Sequence, residues 1–199
     1  MSEIRIPTQK RSIEKKDKII EKGFELICNN GFYHVTTKDI AKYANVSTGI
    51  IYQYFNDKKE IFIEGIKNYS NNIMYPMLNI FEKTKITKNN LETILNNIID
   101  KYIKSHTISK KAHEELLAMS HLDDDIANIF KENEFEMTKK IVTYLENNNI
   151  KVNNAFEKIH IIYNIIDSYC HEVVYHKHKE LNYELMKKEI IKVTLNLLK

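Results

Sequence analysis

Residues 36–62 read TTKDIAKYANVSTGIIYQYFNDKKEIF and place three helix starts and one tight turn close together. Thr36 is suited to cap a helix, with Asp39 three residues on where a carboxylate reaches back to complete a capping box. Ile40, Ala41 and Ala44 supply that helix's apolar face, and Ala41 is small enough for a second helix to cross closely. Asn45 tolerates the left-handed backbone that a short turn between crossed helices needs. Ser47 restarts the chain as a cap. A short helix, Thr48–Phe55, follows, with Ile51 and Phe55 inward and Thr48, Gly49, Tyr52, Gln53 and Tyr54 outward. The stretch is a predicted helix-turn-helix.

Gly49 costs about 1 kcal/mol against alanine in a helix, and close approach of the backbone to a phosphate or base edge is one reason to accept that cost. Lys58, after a cap at Asn56 or Asp57, opposes the helix dipole yet would reinforce an anion site made by free amides. The same pattern also fits an amphipathic helical pair that touches no nucleic acid, since this geometry occurs in proteins of many functions.

Thr36-Thr37, Ile40-Ala41, Ala44, Val46-Ser47, Gly49, Tyr52, Tyr54-Phe55, Lys58 and Ile61-Phe62 resemble, in order and spacing, the N-terminal signature of TetR-family transcriptional regulators. The motif covers roughly residues 13–65. The resemblance implies a homodimeric regulator, usually a repressor, with a divergent C-terminal domain that binds a small effector. Carried over position by position, the implied DNA contacts are Thr37, Ser47, Thr48, Gly49, Tyr52, Tyr54 and Lys58. Gln53 occupies a variable position and is added because glutamine can pair with adenine in the major groove.

With only 4 Gly and 2 Pro in 199 residues, and long stretches free of breakers, the chain is predicted to be all-α. Its net charge of +3 is unevenly held: residues 1–60 carry 11 Lys and Arg against 8 Asp and Glu, and the remainder is balanced. The positive excess thus lies with the motif, as a DNA-facing segment requires. Cys28 and Cys170 form neither a disulfide framework nor a zinc spacing. Residues 1–10 lack the apolar core of a signal peptide, and no apolar run is long enough to span a bilayer, so a cytoplasmic protein is expected.

The predicted domains are 1–57, a helix-turn-helix domain with a short N-terminal arm, and 58–199, a larger helical domain for effector binding and dimerisation. A first helix is expected from about Ser12 to Asn29 or Asn30, stopped by Gly31. The helix from about Lys58 to Tyr75 is read as the physical link between the motif and the rest, ending before Pro76. Further helices are expected near 90–105, 109–120, 124–147, 154–178 and 183–198. The last two are apolar on more than one side, so each has two partners to bury against. Ile166, Tyr169 and Val173 in one and Met186, Ile190, Val193 and Leu197 in the other are the candidate dimer contacts across a two-fold axis, and the resemblance points to the same pair.

Ile66, Tyr69, Ile73 and Tyr102, with His113, Met119, Phe130 and Met137, are the candidate effector lining: an apolar wall with a few polar handles. It favours a large apolar or aromatic effector over a sugar or nucleotide. Core packing explains each of these residues as well. His171, His176 and His178, beside Cys170 and Glu172, offer no i, i+4 ligand pair, so they are read as a solvated helix end rather than a metal site. No cofactor is called for. There is no phosphate loop, G-x-S-x-G or H-E-x-x-H, which leaves an all-α enzyme or a helical adaptor that binds no DNA as alternatives to a regulator.

Overall fold

A computed structural model describes residues 7–75, 85–87, 89–108 and 110–199. Among these, the chain forms α1 (Lys10–Asn30), α2 (Thr37–Ala44), α3 (Thr48–Tyr54), α4 (Lys58–Tyr69), α5 (Leu91–Ile108), α6 (Lys110–Leu122), α7 (Asp124–Asn147), α8 (Ala155–Tyr175) and α9 (Tyr183–Leu197). No strand occurs among the described residues. The chain divides into two compact units, residues 1–71 with 111–127 and residues 72–110 with 128–199. The division falls after α4 rather than before it, and the chain passes between the units three times, at 71/72, 110/111 and 127/128.

In the first unit α1 presents Ile19, Ile20, Gly23 and Ile27 inward. It ends because Gly31 takes φ 89, a conformation side chains rarely adopt, while its amide bonds the carbonyl of Ile27. Ile61, Phe62, Gly65 and Ile66 form the buried face of α4. Two glycines set how closely α1 and α4 approach: Gly23 lies under Ile61 and Ile40, and Gly65 lies against Phe24. The ring of Phe62 packs 5.6 Å from Phe24 and 5.5 Å from Phe32, centroid to centroid. This packing, worth about 1.5–3 kcal/mol per large buried apolar side chain, places α4 with the N-terminal helices. The sequence predicted one helix as far as Tyr75, but the α-helix stops at Tyr69 and a π-helical turn, Ser70–Met74, follows. Pro76 lies outside the described residues, as does Ser109, where the helix expected near 109–120 begins.

The second unit is built from α5, residues 128–147 of α7, α8 and α9 around one apolar core. Ile99 and Cys170 are fully buried at the crossing of α5 and α8. Burial pushes the Cys170 thiol well above its usual range; the Cys28 thiol of the first unit rises to about 12, chiefly from burial and then from the nearby Glu115 carboxylate. Neither is a ready thiolate at neutral pH. Asn147 ends α7 as expected, with Asn149 at φ 58 and the Asn148 side chain accepting the Ile86 amide at 2.9 Å. The sequence carried α8 to His178, but it stops at Tyr175. There the Tyr183 hydroxyl accepts the His178 amide at 2.8 Å and donates to Glu172 at 2.8 Å, drawing the chain off the helix axis.

Met186, Ile190, Val193 and Leu197 lie along one stripe of α9, all half-buried except Val193, which is 45% exposed. On α8 the expectation needs correcting. Ile166 and Tyr169 are buried within the protomer, the Tyr169 hydroxyl donating to the Tyr183 carbonyl at 3.0 Å, so both already pack in its own core; Val173 is half-buried.

Candidate nucleic-acid interface

The turn between α2 and α3 is built locally. The Thr36 hydroxyl accepts the Asp39 amide, and the Asp39 carboxylate accepts the Thr36 amide at 2.9 Å, closing the capping box. The hydrogen bonds from Thr36 hold the Asp39 carboxyl below its usual range. Asn45 takes φ 56, ψ 51 and lets Val46 and Ser47 reverse the chain. Ser47 stands at the N-cap position of α3 with extended backbone, but its hydroxyl makes no capping bond. Ile51 is the fully buried anchor of α3.

The outward face holds Gly49, Tyr52 and Gln53, all exposed, with Thr48 and Thr37 half-buried and Ser47 exposed beside them. A Cβ added at Gly49 would meet only the Ser47 hydroxyl, at 3.9 Å. The fold itself therefore does not require glycine there, which leaves close approach of an outside partner as its physical rationale.

Two expected contacts have different roles in the structure. Tyr54 is 5% exposed and sits beside buried Phe55. Tyr54, three residues after Ile51, shares the buried face of α3, and Phe55, extended at φ −143 just past the helix end, turns inward beside it. Lys58 reaches back to the turn before α2: its ammonium donates to the carbonyls of Phe32 at 2.5 Å and Val35 at 2.7 Å and lies 4.4 Å from the centre of the Phe32 ring. Burial lowers its pKa. Lys58 therefore fixes the turn leading into α2 instead of offering its charge to a phosphate. Lys58→Ala is expected to cost about 1–3 kcal/mol through the carbonyls it leaves unpaired, read as a lower urea midpoint. The salt dependence of DNA affinity is expected to stay the same. A salt slope flattened by about one unit with an unchanged midpoint would restore the phosphate role.

Sequence reasoning missed two supports of this turn. The Glu115 carboxylate on α6 accepts the Phe32 amide at 2.6 Å, and Lys59 bridges Asp123 at 2.7 Å and Asp125 at 2.6 Å. All belong to the first unit. Nothing local in the sequence marks a partner 83 residues away.

Of the candidate effector residues, Tyr102 and Met137 line a cavity of about 80 Å³ in the second unit. Phe130, half-buried on α7 in the same unit, is not among its lining residues. Ile66, Tyr69, His113 and Met119 belong to the first unit, where Ile66 and Met119 are core residues and Tyr69 packs 6.1 Å from Phe24. The Ile73 side chain lies outside the described residues. Beside the cavity the Tyr102 hydroxyl donates to Asp167 at 2.7 Å and stands 3.1 Å from that of Tyr163, joining α5 to α8. Burial acts to raise the Asp167 carboxyl, but hydrogen bonds from His106 and Tyr102 outweigh it and hold the group below its usual range.

The model of the bacterial regulatory proteins of the tetR family matches residues 19–64, from within α1 into α4. HbdR, an HTH-type transcriptional regulator of Aromatoleum sp., is 44% identical over 55 residues, 28% of this chain and 24% of that protein. IcaR of Staphylococcus aureus, a negative transcriptional regulator of the biofilm operon icaADBC, is 28% identical over 141 residues, 63% of this chain and 74% of its own. The likeness to HbdR thus spans about a quarter of that relative's length. A TetR-family regulator of Mesorhizobium loti shares the fold over 96% of this chain and 97% of its own, with a TM-score of 0.73 at 12% identity.

The helix-turn-helix segment, residues 19–64, is that of the tetR family, and the fold of the whole chain is shared with regulators of that family. The match takes in α2 and α3, whereas Glu115, Asp123 and Asp125, the cavity and the α9 stripe lie outside the matched residues. No helix among its described residues is long and apolar enough to cross a membrane.

Proposed function

We propose that this TetR-family chain is a repressor that binds a two-fold symmetric operator as a homodimer through α3 and is released by a small apolar effector held in the second unit. The observation that carries the DNA reading is the outward face of α3, where Gly49 leaves open space between Thr48 and the exposed pair Tyr52 and Gln53. The likeness to a negative regulator favours repression over activation. The half-exposed α9 stripe supports the dimer, because a protomer rarely leaves a continuous apolar ridge in water without a partner. A cytoplasmic setting accords with these roles.

The cavity narrows the effector. At about 80 Å³ it is smaller than the cavity of about 150 Å³ that accepts benzene in an engineered protein. A slender apolar molecule enters with less movement of the walls than the large aromatic one favoured by the sequence.

The deciding experiment is selection of bound fragments from random DNA by the purified protein. A two-fold symmetric consensus is expected, and failure to enrich any sequence would sink the proposal. On the selected operator, Gln53→Ala is expected to relax preference at one position in each half-site, at about 1–3 kcal/mol. Tyr52→Phe, which removes a phosphate contact, is expected to weaken all sequences about equally. Unchanged preference after Gln53→Ala would remove Gln53 from the reading set.

A further inference from the structure

Two cavities of the second unit share a wall. One is the dry cavity described above, bounded by α5, α7, α8 and α9; the other is a groove of about 540 Å³ along α9, and Leu91 and Leu198 line both. Their remaining walls differ in kind. The dry cavity presents aliphatic groups such as Ile94, Leu95, Ile98 and Ile162 and has no charged residue in its lining. The groove carries Lys151, Lys188, Lys192 and Lys199 against a single carboxylate, Glu92. Among the described residues Lys151 and Lys188 have no ion-pair partner, and Lys192 meets only the exposed Glu189, at 3.6 Å.

Thr194 adds a third, independent feature. It lines the dry cavity, is 1% exposed, and its hydroxyl makes no hydrogen bond. It stands four residues, about one turn of α9, before Leu198, so the cavity runs along α9 towards the groove, and its hydroxyl is turned away from that cavity, whose lining is wholly apolar.

We infer that the two cavities form one site for an aliphatic chain with an anionic head group, a medium-chain carboxylate being the simplest such molecule. This deepens, and rests on, the reading of the second unit as the effector unit. The tail occupies the aliphatic cavity, where each buried methylene strengthens binding about fourfold. The head passes Leu91 and Leu198 and stays hydrated among the lysines, so no carboxylate is stripped of water without a countercharge. A neutral chain would leave the lysines unused, and a cationic one would be repelled by them. At about 100° per residue, the groove residues Lys188, Ile191, Lys192 and Leu195 lie on the side of α9 opposite Met186, Ile190, Val193 and Leu197, so a dimer formed on that stripe leaves the groove open.

The test is calorimetric titration of the full chain, without DNA, by octanoate, octanol and octylammonium, which share a tail and differ in head. Octanoate is expected to bind at least roughly tenfold tighter than octanol, and hexanoate roughly tenfold or more weaker than octanoate. The pair Lys188→Gln and Lys192→Gln, both exposed positions, is expected to bring octanoate to the affinity of octanol with the melting curve unchanged. Octanol binding as tightly as octanoate, octanoate binding indifferent to those substitutions, or no binding by any of the three would overturn the inference. Operator affinity, measured separately, keeps the two readings apart. Octanoate bound with no release of DNA upholds this site and counts against the effector role; release by another apolar compound, with octanoate unbound, does the reverse.

Discussion

Gly65→Val is expected to unfold the first unit at temperatures where the native chain is intact. A Cβ at Gly65 would stand 2.6 Å from both Cβ and Cγ of Phe24, closer than side-chain carbons approach one another. The Phe24 ring cannot simply swing away, because Phe62 stacks on it at 5.6 Å and Tyr69 packs at 6.1 Å. Moving α4 off α1 instead would break the crossing that buries Ile61, Phe62 and Ile66. Overpacking by one methylene costs typically about 1–3 kcal/mol, and valine adds three carbons. Gly23→Ala tests the same crossing with a single carbon, which would meet the Cγ2 methyl of Ile61 at 2.5 Å and that of Ile40 at 3.2 Å, both on side chains stiff at χ1, so a smaller but definite loss is expected. The measurement is hydrogen exchange together with thermal melting. Loss of protection in α1 and α4 is expected, and an unaltered melting curve would show that the crossing is slack.

Ile190→Asp, at the centre of the α9 stripe, is expected to give monomers and to take operator affinity with them. A carboxylate on that stripe would be stripped of water at the proposed two-fold contact with no countercharge supplied. One recognition helix makes too few contacts for tight binding, and joining two half-sites multiplies affinity by about 10²–10⁴. A loss of about a hundredfold or more in operator affinity should therefore accompany the change in sedimentation. Val193→Asp, starting from 45% exposure, tests the same face with less risk to the protomer's own core. A variant that sediments as a dimer would move the interface off α9.

The parts of this molecule that were legible in its sequence are those whose cause is local. The capping box of Thr36 and Asp39, the left-handed Asn45 and the stop at Gly31 all depend on residues within a few positions, and each stands where the sequence placed it. Helix periodicity located α5 to α9 to within a few residues. The failures lie where one residue answers to another far along the chain. Lys58 looked like an anion anchor because its partners, the Phe32 and Val35 carbonyls, are 26 and 23 residues away. Tyr54 was read as outward although it stands three residues after Ile51 and so shares the buried face of α3. Ile66, Tyr69 and Met119 were grouped with Tyr102 because an apolar stripe records that a helix is covered without recording by what, and the two glycines that draw α4 onto α1 have no side chain to announce it.

The hydrogen bond from the Phe32 amide to Glu115 and the ion pairs of Lys59 with Asp123 and Asp125 bear on how regulators of this kind recombine. The polypeptide is not two beads on a string. Its reading head is stitched from two stretches, 1–71 and 111–127, and the second is carried by the half of the gene that would be exchanged in any graft at a single junction. A hybrid made by joining these first 71 residues to a foreign sensor would inherit an amide and an ammonium whose mates stayed behind. Grafts that also transplant Glu115, Asp123 and Asp125 should tolerate the exchange better than those that do not, and in natural lineages these positions should drift together with the turn they hold rather than with the lining of the second unit.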